Sequence, residues 1–207
     1  MARSGPKETL WCLAIIPLVA ILCMDSGWAY GADRSSLSHV TMVRTEEPPI
    51  IDGHLVEAVW GRAAVVPALT QAYPNEGNPP SARTEVRLLF DADFLYIGIR
   101  AFDSEPERII AKERQRDIAM DGDDYVAVAL DPFHDLRRGY FFQVNPLGNR
   151  RDGLISPHTD LDNGGLQIQF EWDGIWYAEA VIDAQGWTAE LAIPMKTISF
   201  DPDQTTW

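Results

Sequence analysis

Two alternating runs of apolar residues, one on each side of an acidic turn, limit what this chain can fold into. Every second side chain is apolar on either side of residues 91–93: Val86, Leu88, Phe90, Leu95, Ile97, Ile99 and Ala101. Successive side chains of a β-strand point to opposite faces, so a period of two is typical of strands. The segment Asp91-Ala92-Asp93 supplies turn residues. The pattern predicts an antiparallel hairpin over residues 84–103 with one face buried.

Short strands separated by turn residues recur along the rest of the chain. We predict them at residues 40–44, 65–69, 125–130, 139–145, 150–155, 167–172, 175–182 and 187–193. Helical spacing is confined to residues 105–111 and 51–63, where we expect Trp60 to anchor the core at one end of the sheet. This combination predicts an all-β fold, an antiparallel β-sandwich or jelly roll with short helical turns. Residues 201–206 are typical of a turn, so we expect the last strand or strands to be missing from this sequence.

The first residues have the order of a secretory signal peptide. A basic start is followed by an almost entirely apolar run at residues 10–24 and by a region rich in small residues at positions 27–32. We predict a signal peptide at residues 1–31 and a leader at residues 32–48, and therefore an exported protein. An uncleaved membrane anchor is the alternative.

Cysteine content and charge limit the stabilising elements and the partners. Cys12 and Cys23 both lie in the predicted signal peptide, so the mature chain relies on its own core or also on bound metal. The 17 basic and 31 acidic residues give a net charge of −14. Such a surface repels phosphate backbones, which argues against nucleic acid, and it accepts neutral ligands such as sugars. The alternative is that the acidity only keeps an exported protein soluble.

Four spaced segments carry a family resemblance. They are IDGHLVEAVW at residues 51–60, VRLLFDADFLYIGIRAFD at 86–103, DDYVAVALDP at 123–132 and GWTAELAIP at 186–194. In this order they resemble the family 9 carbohydrate-binding module, a sandwich related to the DOMON-like domains. The resemblance covers residues 49–207 and implies one β-sandwich domain over that range.

The resemblance also implies a function and a cellular context. It implies a non-catalytic module that binds polysaccharide or oligosaccharide during polysaccharide breakdown or uptake. In similar exported bacterial proteins the module precedes a barrel-like outer-membrane region or stands beside a glycoside hydrolase domain, which implies a periplasmic or outer-membrane-associated location. The alternative is an interaction or plug module of an outer-membrane barrel protein with a degenerate sugar site. Whether the whole protein is an enzyme stays open.

Three positions of this sequence depart from the sugar contacts of the family. In sugar-binding members two tryptophans clamp the ligand, an acidic residue and an arginine hold it, and calcium ions lie nearby. The resemblance places Asp121 at the first tryptophan, Ala127 at the acidic contact and Gln143 at the arginine. A sugar would therefore have to be held by other side chains.

Aromatic and amide side chains late in the chain are candidates for sugar binding. A ring face packs against the C–H groups of a pyranose, and planar polar groups bind its hydroxyls. The candidates are Tyr140, Trp172 and Trp176 as stacking rings, with Gln143 and Asn145 as polar partners. Gln143 and Asn145 alternate on one predicted strand and so share a face. The alternative is that the aromatic rings pack in the core.

Clustered carboxylates make calcium a candidate cofactor, because calcium needs six to eight oxygen ligands. Asp121, Asp123 and Asp124 form one group, and Asp160, Asp162 and Asn163 form another. The alternative is ordinary turn chemistry.

Haem is a further candidate ligand. Met120 and His158 are candidate haem ligands in loops. Glu171, Glu179 and Glu190 do not single out the paired carboxylates of a glycosidase, and we interpret them as surface charge.

Overall fold

The computed structural model describes residues 14–15, 40–67, 69–71, 75–157, 166–201 and 207. The strands in these ranges are β1 (Ala14–Ile15), β2 (Val40–Thr41), β3 (Val43–Arg44), β4 (Ala64–Val65), β5 (Thr84–Phe90), β6 (Phe94–Phe102), β7 (Val126–Leu130), β8 (Gly139–Val144), β9 (Arg150–Pro157), β10 (Leu166–Gln169), β11 (Tyr177–Asp183) and β12 (Gly186–Pro194). Short 3₁₀ helices cover Ala58–Arg62, Pro106–Arg108 and Met195–Thr197. None of the helices in these ranges is long and apolar enough to cross a membrane.

The strands form two main sheets. In the six-stranded sheet the order is β11-β12-β6-β5-β3, and β4 also pairs with β5. In the four-stranded sheet the order is β10-β9-β8-β7. Neighbouring strands pair antiparallel, except that β3 and β5 are parallel. Strands β1 and β2 form a separate antiparallel pair. The predicted all-β class is therefore confirmed.

The two sheets pack against each other around one apolar core. Alternate side chains of both sheets meet there: Val86, Leu88, Ile97, Ile99, Leu191 and Ile193 from the six-stranded sheet, and Val126, Val128, Phe142 and Val144 from the four-stranded sheet. Burial of such side chains contributes roughly 1.5–3 kcal/mol each. The arrangement is that of a β-sandwich.

The predicted hairpin is formed by β5 and β6, with Phe90 opposite Leu95. Its turn is held by Asp91, whose Oδ1 accepts hydrogen bonds from the backbone N–H groups of Asp93 and Phe94, both at 2.7 Å. The prediction that only one face is buried is wrong. Leu89 and Tyr96 point away from the core, yet they are 0% and 4% exposed.

A segment before the hairpin covers this second face. Trp60, which is 1% exposed, packs there with Leu89 and Tyr96 in a smaller apolar cluster. Its ring lies close above Gly98, where an added Cβ would come within 2.9 Å of the indole. Trp60 therefore lies on the outer face of the six-stranded sheet and not at its end, as the helical spacing had suggested.

The covering segment is fixed by a buried carboxylate on β12. Glu190 is 0% exposed, so its interpretation as surface charge is wrong. Its Oε2 accepts hydrogen bonds from the backbone N–H groups of Asp52 (3.0 Å) and Gly53 (2.8 Å), and its Oε1 accepts one from Trp60 Nε1 at 2.7 Å. Burial raises the pKa of Glu190, and these three donors offset only part of that effect.

We predict that Glu190→Gln lowers the free energy of unfolding and changes its pH dependence. The amide NH₂ would face an N–H donor on one side, at a cost of about 1–3 kcal/mol. Because the pKa of Glu190 is raised in the folded chain, its contribution to stability is fully present below the unfolded value of 4.5. That contribution is lost as the pH rises through the folded pKa.

Thermal unfolding from pH 4 to pH 8 checks this prediction, with Glu179→Gln as the control. Glu179 lies opposite Glu190 on β11 and is exposed. The control should stay within about 0.5 kcal/mol of the wild type. Identical stability and pH profiles for Glu190→Gln and the wild type would contradict the structural role of Glu190.

Candidate functional site

The outer face of the four-stranded sheet carries a row of three side chains with different chemistry. Ala127 on β7 lies opposite Gln143 on β8, and Gln143 lies opposite Arg151 on β9. Their neighbours Val126 and Val144 point into the core, so this row points away from it. In the next row, the small residues Ala129 and Gly153 lie on either side of the Phe141 ring.

An aromatic ring lies against the arginine of this row. The guanidinium carbon of Arg151 is 3.4 Å from the ring centroid of Phe170, which follows the end of β10. The Phe170 ring meets Phe141 edge-on, with 5.9 Å between centroids and 83° between planes. Gln143, Arg151 and Phe170 are called the outer-face site below. The site thus combines an amide, a guanidinium and a ring that is only partly buried.

The charge of Arg151 is poorly compensated. Its Nε–H is buried and has no hydrogen-bond acceptor among the described residues. Within the same ranges, no carboxylate forms an ion pair with Arg151 at 4.0 Å or less. Burial lowers the pKa of Arg151, and the carboxylates of Asp121 and Asp117 offset part of that effect. The Arg151 guanidinium therefore has an N–H donor without an acceptor among the described residues.

The two predicted polar partners have different roles. Gln143 belongs to the outer-face site and is 6% exposed. Asn145 lies beyond the end of β8 and is fully buried. Its Nδ2 donates to the Glu113 carbonyl and to Asp123 Oδ2, both at 2.9 Å, and its Oδ1 accepts the N–H groups of Leu147 and Asn149. Asn145 therefore shapes the turn between β8 and β9.

The three predicted stacking rings belong to the core and not to a binding face. Tyr140 and Trp172 lie 5.2 Å apart between ring centroids, and Tyr140 is 9% exposed. Trp176 is 1% exposed and meets Phe142 edge-on at 5.1 Å. A ring this deeply buried has no free face for a sugar. The alternative, that these aromatic rings pack in the core, is the arrangement observed.

Trp176 is held by a second buried carboxylate, which the sequence did not single out. Asp152 on β9 is 0% exposed and points to the core side of its sheet. It accepts hydrogen bonds from Trp176 Nε1 (2.9 Å), the Gly174 backbone N–H (2.6 Å) and Arg116 Nη2 (3.2 Å). Arg116 also contacts Asp173 and donates to the Gly174 carbonyl. The Asp173-Gly174 turn is thereby fixed to the sheet.

The carboxylates proposed for calcium do not converge. Asp123 is 2% exposed and accepts the N–H groups of Lys112 and Glu113, all at 3.0 Å, together with Asn145 Nδ2. Burial alone would raise the pKa of Asp123, but these hydrogen bonds outweigh it and lower the pKa. Asp124 accepts the Ile110 N–H, and Asp121 is exposed on the surface. Asp123 and Asp124 thus bind N–H groups in this structure, and calcium at these three residues stays a prediction.

Other metal and haem candidates add no site within the described ranges. No group of three His, Cys, Asp or Glu side chains there has a geometry that holds a metal ion. Asp160, Asp162 and Asn163 lie outside the described residues, so calcium at that group stays a prediction. Met120 is 1% exposed, and its proposed haem partner His158 also lies outside the described residues.

Arg151 and Phe170 were not among the sequence candidates. A signal for Arg151 was available: the turn residues at 147–149 join two strands, and counting outward from them places Arg151 opposite Gln143. Phe170 has no comparable signal, because it lies past the end of β10 and outside the strand alternation.

Comparison with known proteins gives similarities to solved structures. No protein-family model and no curated protein matches the chain. The chain is similar to a carbohydrate-binding module of family 9 from Caldicellulosiruptor kristjanssonii in complex with cellotriose, at 16% identity and a TM-score of 0.46, over 73% of this chain and 65% of that one. It is also similar to a family 9 module from the same organism in complex with glucose, at 15% identity and a TM-score of 0.46, over 76% and 72% of the two chains.

We predict that Trp176→Phe destabilises the fold without altering ligand binding. Phenylalanine retains a ring against Phe142 but removes one of the donors to the buried Asp152 carboxylate. Asp152 Oδ1 then keeps only the longer hydrogen bond from Arg116 Nη2, and the lost bond lowers the free energy of unfolding by about 1–3 kcal/mol. Chemical denaturation measures this loss, and Tyr177→Phe, at a ring that is 50% exposed, is the control. Unchanged stability, or lost binding in a fully folded variant, would refute the assignment of Trp176 to the core.

Proposed function

We propose that this chain contains a non-catalytic carbohydrate-binding module that holds a sugar at the outer-face site. The observation that carries the proposal is the grouping of Gln143, Arg151 and Phe170 on one face of the four-stranded sheet. An amide and a guanidinium bind sugar hydroxyls with fixed geometry, and a neighbouring ring offers an apolar contact to the C–H face of a pyranose.

The buried carboxylates support binding over catalysis. Glu190, Asp152 and Asp123 each accept hydrogen bonds from three N–H donor groups, so they are committed to holding backbone and tryptophan side chains. A glycosidase needs two carboxyl groups that face a shared cleft, one of them free to exchange a proton. None of these three has that freedom.

We also propose a cellular location for the protein. The amino-terminal order of basic, apolar and small residues supports export. A binding module of this kind would keep an exported protein on polysaccharide during its breakdown or uptake, in the periplasm or at the outer membrane.

A second candidate function is a module that binds a protein partner, such as the barrel of an outer-membrane protein. The observation in its favour is the edge of the six-stranded sheet. Strand β11 forms that edge, and apolar side chains on or beside it are exposed: Ile175 by 64%, Tyr177 by 50% and Ile182 by 40%. Exposed edge strands are sites at which another chain adds to a sheet.

Affinity electrophoresis through gels containing dissolved glycans tests the first proposal. We expect xylan, β-glucan or pectin to retard the purified chain, and Phe170→Ala to weaken retention about tenfold, because stacking on a ring contributes on the order of 1 kcal/mol or more. Phe133→Ala is the matched control, since Phe133 also lies under an arginine, Arg138, at 4.7 Å, but in a loop away from the site.

The outcomes separate the two functions. Retention that falls in Phe170→Ala and persists in Phe133→Ala supports the outer-face site. A wild-type chain that migrates equally in all gels with and without glycan refutes sugar binding and leaves the protein-partner function.

A further inference from the structure

We infer that the outer-face site selects acidic sugars, with the carboxylate of a uronic acid residue paired with Arg151. This inference rests on the proposed function and adds the class of glycan. Other partly buried arginines of the described residues have carboxylate partners. Arg87 pairs with Glu85, Arg100 pairs with Asp183, and Arg116 reaches the buried Asp152.

Arg151 differs from these arginines and from its neighbour in sequence. Arg150 donates to the carbonyl oxygen of Trp176, so its guanidinium has an acceptor within the chain. Arg151 has neither an ion pair within 4.0 Å nor an acceptor for its Nε–H among the described residues. A partly buried charge without such partners is unfavourable. A ligand carboxylate would supply the opposite charge.

The geometry suits a carboxylate attached to a sugar ring. A guanidinium binds a carboxylate through two parallel N–H···O bonds, which fixes the orientation of the ligand. Gln143 lies directly opposite Arg151 across the strand pair, so its amide is next to the guanidinium. Phe170 stacks against Arg151 and adds apolar surface for the ring carbons.

The surrounding charge disfavours anions of higher charge. Asp121 and Asp117 lie close enough to act on Arg151 electrostatically, and the chain as a whole carries −14. These carboxylates repel a phosphate monoester, which carries nearly two negative charges at pH 7, more strongly than a singly charged uronate. Exposed Asp121 also provides an acceptor for sugar hydroxyls. The site therefore matches a uronic acid within a glycan better than a free polyanion.

The test compares sugars that differ only at the carboxylate. Methyl glucuronoside, its uncharged methyl ester and methyl glucoside are titrated into the purified chain and followed by NMR, and the galacto series is treated in the same way. We expect the uronate to bind about tenfold more tightly than its two uncharged counterparts at pH 7 and low salt, because hydrogen bonds between ions are stronger than neutral ones. Added salt should weaken binding of the uronate alone.

Variants connect this preference to one side chain. Arg151→Gln should bind the uronate and the neutral glycoside equally, whereas Arg151→Lys, which retains the charge, should keep part of the preference. Arg114→Gln removes an exposed positive charge from another loop and should leave the preference unchanged. Circular dichroism confirms that each variant is folded before its affinity is compared.

The binding results distinguish failure of the acidic-sugar inference from failure of the carbohydrate-binding function. Equal affinity of the wild type for uronate and neutral glycosides overturns the acidic-sugar inference and leaves the carbohydrate-binding function in place. Binding to neither class overturns both. A uronate preference that survives in Arg151→Gln places the recognition elsewhere and also overturns the inference.

Discussion

Each main sheet of this β-sandwich contains a buried carboxylate surrounded by N–H donors, and these carboxylates fix the segments that pack on the strands. Glu190 binds the segment that covers the outer face of the six-stranded sheet, through Trp60 and the Asp52-Gly53 turn. Asp152 acts similarly in the four-stranded sheet, through Trp176 and Gly174. Removing either carboxylate would leave several donors buried without acceptors, which is more costly than losing one exposed ion pair. In a mature domain predicted to have no cysteine, these contacts replace covalent cross-links.

The same logic positions the candidate site. The Asn145 side chain fixes the turn between β8 and β9 by accepting two backbone N–H groups, and Gly148 adopts a φ of +75° there, which favours glycine. That turn sets the register that places Gln143 opposite Arg151. The buried polar residues therefore provide a rigid base, and the outer face carries a guanidinium, that of Arg151, with no ion pair within 4.0 Å among the described residues.

The sequence predicted the fold better than the site. The hairpin of β5 and β6 and the order of the short strands followed from period-two alternation and turn residues. Alternation cannot show whether the second face of a strand is covered, so Glu190 was placed at the surface. It also cannot distinguish aromatic rings in the core from rings at a binding face, which is why Trp176 was misplaced. Placing Arg151 at the site required the register of the β8–β9 hairpin. Placing Phe170 there required the packing of the residues that follow β10.

The most direct test of the account is a nitrogen–proton NMR correlation spectrum recorded while an oligosaccharide mixture is added. It reports the Gln143 side-chain amide, the Arg151 Nε–H and the backbone of every strand in one experiment. We expect the Gln143 and Arg151 signals and the Phe170 backbone signal to shift first and furthest. Shifts centred on Tyr177 and the edge strand β11, with the Arg151 signal unchanged, would contradict it.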